Sequence, residues 1–142
     1  MPLYLLDTDH MTVLYWGGEP ARRLAARLTT VPKDDYGTTI VSFEEQTRGW
    51  LSEVALEKTE RGVVPVYERL NDMRKLYQAV AVWQYADEAA EIFTRLRKER
   101  VRIGAPDLRI ASIALANNAT VLTANRKHFG QVPGLSFEDW TR

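Results

Sequence analysis

The sequence predicts an α/β fold, specifically a three-layer α/β/α sandwich around a central, mostly parallel sheet of four to five strands. Leu3–Leu6 is a short apolar run without alternation, which is typical of a strand covered on both faces. Further β-branched or apolar runs follow at residues 38–41, 80–83 and 120–123, and segments with helical spacing separate them. Alternating strands and helices imply parallel strands joined by right-handed crossovers, with helices on both faces of the sheet.

Length and composition limit the class of protein. A chain of 142 residues that is 45% hydrophobic predicts one domain over residues 1–142. Nineteen basic residues balance nineteen acidic ones, so no broad cationic surface is expected and any polyanion must be held locally. The absence of cysteine excludes disulfides and thiolate zinc sites, and the two histidines, His10 and His128, are assigned to the surface or to packing. No apolar stretch of about 18 residues is present, so we expect no membrane partner and a cytoplasmic location.

The boundaries of the elements follow from turn and capping residues. Strands are predicted at residues 3–6, 36–42, 80–83, 120–123 and 135–137, the last as a short edge strand. Helices are predicted at residues 8–16, 20–28, 42–59, 65–78, 87–98 and 106–116. Thr8 or Asp9 is the expected N-cap of the first helix, and Ser42 with Glu45 forms a capping box that starts the third.

The third helix carries two further expectations. Its buried stripe is predicted to consist of Phe43, Thr47, Trp50, Leu51 and Val54. Gly49 lies in its interior, where glycine costs about 1 kcal/mol relative to alanine. We therefore interpret Gly49 as a position that another group approaches closely.

Acidic and amide side chains are predicted to meet at one edge of the sheet. Asp7 follows the first strand, Glu45 opens the helix after the second strand, and Asn125 follows the fourth strand. Asp107 begins a helix that is apolar nearly all round, and its position is the least constrained. In parallel sheets the carboxyl ends of the strands form the edge where ligands bind. The sequence therefore predicts a site there.

A cluster of carboxylates at this edge needs compensation. Each pair about 5 Å apart at an effective dielectric of about 20 repels by about 3 kcal/mol. Either the pKa values of the acids rise or a divalent cation neutralises them. Oxygen-only ligands favour Mg²⁺ or Mn²⁺ over zinc, and such an ion suits hydrolysis of phosphodiesters.

These segments resemble the PIN-domain nucleases, specifically the VapC-like toxins of type II toxin–antitoxin pairs. The motifs occur in the family's order and cover essentially the whole chain: residues 5–9 (Leu-Leu-Asp-Thr-Asp), Glu45 with Gly49 four residues on, residues 107–111 with Ala114, and residues 122–129 running on to Trp140. Each motif is weak alone, whereas the ordered set is specific.

The resemblance implies an endoribonuclease that uses Mg²⁺ or Mn²⁺. By this resemblance Asp7, Glu45 and Asp107 would hold the metal, and Thr123 and Asn125 would line the site. A homodimer, an RNA substrate and a cognate antitoxin protein that neutralises the enzyme are implied in the same way.

Residues next to the three acids complete the predicted site. The wider family often supplies a fourth acid in its last motif, where this chain has Asn125 and His128. Thr8 and Asp9, which follow Asp7, are predicted to support the metal ligands or to contact the substrate. Asp9 is also a candidate for the extra carboxylate, so the sequence leaves open whether one or two metal ions bind. Glu44 is the rival of Glu45. The cations that flank the acids and are predicted to contact phosphate include Arg48 and Arg109.

Two other functions compete with a nuclease. Asp7 and Asp9 resemble the paired aspartates of a haloacid-dehalogenase-like phosphatase, in which the first is a phosphoacceptor and the second a general acid. Met11 departs from that motif, and no downstream Gly-Asp-x-x-x-Asp follows. The third hypothesis is a catalytically inactive PIN-fold module that binds RNA or protein.

Overall fold

The computed structural model describes residues 3–142, which contain a sheet of five parallel strands in the spatial order β3-β2-β1-β4-β5. The strands are β1 (Leu3–Leu6), β2 (Tyr36–Thr39), β3 (Val82–Trp83), β4 (Ala119–Leu122) and β5 (Phe137–Glu138). The helices are α1 (Thr8–Trp16), α2 (Glu19–Leu28), α3 (Ile40–Leu56), α4 (Glu60–Ala79), α5 (Asp87–Lys98), α6 (Ala105–Ala116) and α7 (Arg126–Phe129). The predicted parallel α/β architecture is confirmed.

The central strand β1 separates two hydrophobic cores. Successive side chains of a strand point to opposite faces of the sheet, and Leu5 and Leu6 are both fully buried in different cores. Leu5 packs with residues of α5 and α6, whereas Leu6 packs with residues of α1, α2 and α4. Helices therefore cover both faces of the sheet, as the unbroken apolar run of β1 predicts.

The start of α3 differs from the prediction. Strand β2 ends at Thr39, and the β-branched Ile40 and Val41 belong to the helix. Thr39 has extended backbone angles and its hydroxyl accepts a hydrogen bond from the main-chain N–H of Ser42 at 3.1 Å, so Thr39 is the N-cap. The predicted capping box of Ser42 and Glu45 is therefore wrong. Glu45 lies in the second turn of α3 and does not open the helix.

Other boundaries shift by smaller amounts. Asp7, not Thr8 or Asp9, is the N-cap of α1. Helix α4 begins at Glu60, so Pro65 lies inside it, and Thr59 caps its first turn through the main-chain N–H of Gly62. The predicted third strand shortens to Val82–Trp83, and β5 is an edge strand one or two residues later than predicted.

Several large apolar side chains face solvent. Leu51, predicted in the buried stripe of α3, is 54% exposed, because α3 contacts α1, α4 and α6 through its other faces. Trp16, Leu56, Val64 and Tyr67 are also more than half exposed. Within residues 3–142, no helix is both long and apolar enough to span a membrane.

Candidate active site at the carboxyl edge of the sheet

Asp7 lies at the carboxyl end of β1 and is almost completely buried, with 4% exposure. Its Oδ1 accepts a hydrogen bond from the main-chain N–H of Thr8 at 2.7 Å, and its Oδ2 accepts one from the hydroxyl of Thr123 at 2.8 Å. Burial and then the charge of Asp9 raise the pKa of Asp7 from 3.8 to about 8; Asp107 adds to this rise, and the two hydrogen bonds oppose it. An uncompensated anion here is therefore unfavourable.

Glu45 is joined to Asp7 through Thr8. The hydroxyl of Thr8 donates to Oε1 of Glu45 at 2.6 Å and lies 3.0 Å from the hydroxyl of Ser42. Burial raises the pKa of Glu45, and the charges of Asp107 and Glu44 add to the rise, while the hydrogen bond from Thr8 lowers it. Ser42, which sequence reasoning assigned to a helix cap only, is thus part of the site.

Glu44 and Glu45 differ in burial and in the groups that they contact. The carboxylate of Glu44 lies on the exposed side of α3, where it pairs with Arg48 at 2.5 Å. Glu45 is half-buried and faces Thr8. The structure therefore links Glu45, not its neighbour, to Thr8, the residue that follows Asp7.

Asp9 is held against the end of β4. Its Oδ2 accepts a hydrogen bond from the main-chain N–H of Ala124 at 3.0 Å and lies 3.1 Å from the hydroxyl of Thr123. Its Oδ1 lies 2.7 Å from Nδ1 of His10. Thr123, which is fully buried, thereby contacts the carboxylates of both Asp7 and Asp9.

Asp107 lies in the first turn of α6 and contacts His128, a residue predicted to lie at the surface or to serve only in packing. Nδ1 of His128 lies 2.7 Å from Oδ2 of Asp107 and 3.0 Å from the side-chain nitrogen of Asn125. Asn125 is the N-cap of α7, since its Oδ1 accepts the main-chain N–H of His128 at 3.2 Å. The short helix that Asn125 caps was not predicted; recognising it would have placed His128 near Asn125.

The donor atoms at this edge suit a hard divalent cation by their chemistry. They are oxygens of carboxylates, hydroxyls and an amide, the ligand class of Mg²⁺ and Mn²⁺. The charge of Asp107 raises the pKa of both Asp7 and Glu45, so the three carboxylates share one electrostatic environment that a cation would relieve. Across residues 3–142, no three acidic or histidine side chains are close enough to hold an ion as they stand.

A cleft of about 360 Å³ opens beside Glu45. It is lined by Glu44, Glu45, Arg48, Gly49, Ser52, Pro106 and Arg109. Arg48 is paired with Glu44, and the guanidinium of Arg109 lies 5.6 Å from the centre of the Phe93 ring. Both predicted phosphate contacts therefore lie at the cleft, although within the described chain neither forms an ion pair with the three acids.

The fold and the site define a small parallel α/β protein with carboxylates at the ligand-binding edge of its sheet. Ribonuclease VapC2 of Rickettsia felis is 31% identical over 116 residues, which cover 77% of this chain and 87% of the relative. Ribonuclease VapC1 of Haemophilus influenzae is 28% identical over 99% of both chains. The chain therefore belongs to the VapC ribonuclease family.

Solved structures agree in fold. A chain in the crystal structure of DNA-bound VapBC from Salmonella typhimurium matches with a TM-score of 0.78, 21% identity and 99% coverage of both chains. A chain of VapBC-1 from nontypeable Haemophilus influenzae gives a TM-score of 0.77 at 22% identity, again over 99% of both. No protein-family model matches the chain.

Proposed function

We propose that this chain is an endoribonuclease, the toxin of a type II toxin–antitoxin pair, which hydrolyses RNA phosphodiester bonds with Mg²⁺ or Mn²⁺. The observation that carries the proposal is the joining of Asp7 to Glu45 through Thr8, with Asp107 in the same electrostatic environment. The names of the curated relatives, each a ribonuclease, supply the substrate class.

In this proposal Asp7, Glu45 and Asp107 would hold the cation, which would supply Lewis-acid stabilisation and an activated water. Thr123 and Thr8 orient the carboxylates of Asp7 and Glu45 through the hydrogen bonds described above. Arg48 and Arg109, together with Gly49, line the cleft in which the RNA backbone is bound.

The two competing functions find less support. A phosphatase needs its second aspartate free as a general acid, and Asp9 is occupied by His10, Thr123 and Ala124. An inactive binding module has no need for a buried Asp7 whose pKa is raised to about 8. Neither the phosphatase nor the inactive module matches the relatives, which are named as ribonucleases.

An RNA cleavage assay tests the proposal. The purified chain is incubated with RNA in Mg²⁺, in Mn²⁺ or in a chelator, alongside the variants Asp7→Asn, Glu45→Gln and Asp107→Asn. We expect cleavage only with metal and a loss of at least about 100-fold in each variant, since even outer-shell partners of metal ligands contribute about 10- to 100-fold. Unchanged cleavage by Asp7→Asn would refute the assignment.

The proposed partners are an antitoxin protein and a second copy of the chain, in the cytoplasm. The structural neighbours include a toxin–antitoxin complex from Klebsiella pneumoniae and a member of the VapBC family of toxin–antitoxin systems. The exposed apolar side chains of α1, α3 and α4 include Trp16, Leu51 and Tyr67, and such surfaces mark protein interfaces. We propose that the antitoxin covers this surface.

Co-expression with the product of an adjacent open reading frame tests the partner surface. Leu51→Lys is expected to weaken the complex while RNA cleavage by the free chain persists, because Leu51 contributes nothing to the acid cluster. Lys75→Ala on an exposed face of α4 is a control that should leave the complex intact. Light scattering of the free chain measures whether it is a dimer.

A further inference from the structure

His10 is a fully buried polar residue that the proposed chemistry does not use. Its ring lies between the first turn of α1 and the C-terminal segment. Nδ1 is 2.7 Å from Oδ1 of Asp9, and Nε2 is 3.2 Å from the main-chain nitrogen of Trp140. Both ring nitrogens therefore have a partner.

The partners determine which nitrogen of His10 carries the proton. A main-chain N–H can only donate, so Nε2 accepts from Trp140 and has no proton of its own. The neutral ring then carries its hydrogen on Nδ1 and donates it to the carboxylate of Asp9. Oδ1 of Asp139 is 3.7 Å from Nε2, which is too far for a hydrogen bond.

The other oxygen of Asp9 holds the turn that follows β4. Oδ2 accepts the main-chain N–H of Ala124 at 3.0 Å and lies 3.1 Å from the hydroxyl oxygen of Thr123. The same hydroxyl oxygen accepts the main-chain N–H of Asn125 at 2.9 Å and contacts Asp7. The orientation of Asp9 therefore sets the position of three consecutive residues of this turn.

The turn at residues 123–125 is also connected to Asp107, on the other side of the site. Asn125 contacts His128 through both atoms of its amide, at 3.2 and 3.0 Å, and His128 lies 2.7 Å from Asp107. A series of contacts thus runs from His10 through Asp9 and the turn at residues 123–125 to Asp107. It passes beside Asp7 on the way, through Thr123.

We infer that His10 is a positioning residue, which fixes Asp9 and thereby aligns the turn at residues 123–125 so that Asp7 and Asp107 face a common site. The inference rests on the proposed function, because it assigns His10 to the alignment of the same acids. His10 touches neither of these two acids, so it acts only through Asp9. The contact with Trp140 anchors the ring from the opposite side.

Two isosteric variants separate the contacts of the ring. In His10→Asn the amide nitrogen occupies the place of Nδ1, so it can still donate to Asp9 but cannot reach Trp140. In His10→Gln the amide oxygen can accept from Trp140, whereas the donor to Asp9 is lost. Each variant loses one buried hydrogen bond, so we expect similar decreases in melting temperature.

Activity should distinguish the two variants. We expect His10→Gln to lower kcat for RNA cleavage about 10-fold, the lower end of the range for groups that contact a metal ligand directly, because His10 acts one contact further away. KM should change little, and His10→Asn should retain kcat close to that of the unmodified chain. Equal losses of kcat in both variants, following their losses of stability, would show a merely structural role and overturn the inference.

A measurement that does not depend on activity keeps the two proposals apart. Nitrogen NMR of the ¹⁵N-labelled full chain reports the tautomer of each histidine, and the chain has only two histidines, so His10→Gln assigns the signals. We expect a neutral His10 ring with its hydrogen on Nδ1. A hydrogen on Nε2 would overturn the inference even if the chain cleaves RNA, and a chain that cleaves no RNA but has the expected tautomer would instead refute the proposed function.

Discussion

Asp7 is the residue at which burial and charge conflict most clearly. It sits in the N-cap of α1, almost without solvent contact, with Asp9 two residues away and Asp107 nearby. Thr8 and Thr123 each donate one hydrogen bond to it, which reduces the unfavourable effect without abolishing it. A carboxyl group in this situation binds a proton strongly, and a metal ion would have to displace that proton.

The pH dependence of stability follows from the shift at Asp7. Because the pKa is raised from 3.8 to about 8, the folded chain binds more protons than the unfolded chain between these values. The free energy of unfolding of the metal-free protein should therefore fall as pH rises through this window, by up to about 1.4 kcal/mol per pH unit. Melting temperatures measured across the window check the slope.

Asp7→Asn is the matched variant for this measurement. It should be more stable than the unmodified metal-free chain at the alkaline end of the window, because an amide carries no charge to desolvate. Most of the slope should disappear, with the remainder due to Glu45, whose pKa is also raised by burial. A slope as steep as that of the unmodified chain would contradict the role of Asp7.

The adjacent glutamates of α3 provide a second prediction at the residue scale. Glu45→Gln should lower kcat/KM for RNA by at least about 100-fold, because direct ligands matter at least as much as outer-shell groups. Glu44→Gln removes the same charge one residue earlier, at a side chain paired with Arg48 on the surface. Because Glu44 and Arg48 line the cleft, a change in KM is expected, but Glu44→Gln should lower kcat far less than Glu45→Gln. Equal losses of kcat in both variants would contradict the orientation of α3.

At the scale of the elements, two glycines have opposite surroundings. A Cβ on Gly37 in β2 would lie 2.8 Å from the main-chain oxygen of Ala81, which accepts the N–H of Thr38, and 2.5 Å from the Trp83 side chain. Gly37→Ala should therefore push β3 from the sheet and destabilise the protein by about 1–3 kcal/mol.

Gly49→Ala is the control for that prediction. Apart from adjacent residues and the backbone of its own helix, no atom lies within 4 Å of a Cβ at Gly49 in α3, so alanine should stabilise the protein by about 1 kcal/mol through helix propensity. Because Gly49 also lines the cleft, a rise in KM for RNA is expected if the backbone of the substrate passes close to it. Denaturant unfolding measures the stability of both variants. A Gly37→Ala variant as stable as the unmodified chain would contradict the packing of β3.

For the whole molecule, the metal ion should act as a stabilising ligand. Mn²⁺ at about 100 times its dissociation constant should increase the free energy of unfolding by about 2.7 kcal/mol. The effect should grow with pH, because metal binding requires deprotonated Asp7 and Glu45. Calorimetry measures the stabilisation by Mn²⁺ and its dependence on pH. An equal stabilisation of Asp7→Asn by Mn²⁺ would show that the ion binds elsewhere.

The sequence by itself determined the architecture and the edge at which the site lies. An apolar strand without alternation, ending in Asp7, requires helices on both faces, and the periodicity of the following segments supplies them. Parallel strands share one carboxyl edge, so the placement of Asp7 and Asn125 there depends only on local pattern and strand order. Periodicity and capping are local properties, which is why they can be read without coordinates.

Only the tertiary structure decided which side chains meet at that edge. The choice between Glu44 and Glu45 depends on how α3 is rotated against β1, and the start of α3 at Ile40 overrode the strand propensity of two β-branched residues. The environments of His10 and His128 depend on partners 130 and 21 residues away in the chain. Such contacts arise from packing between distant segments, and local sequence patterns carry no record of them.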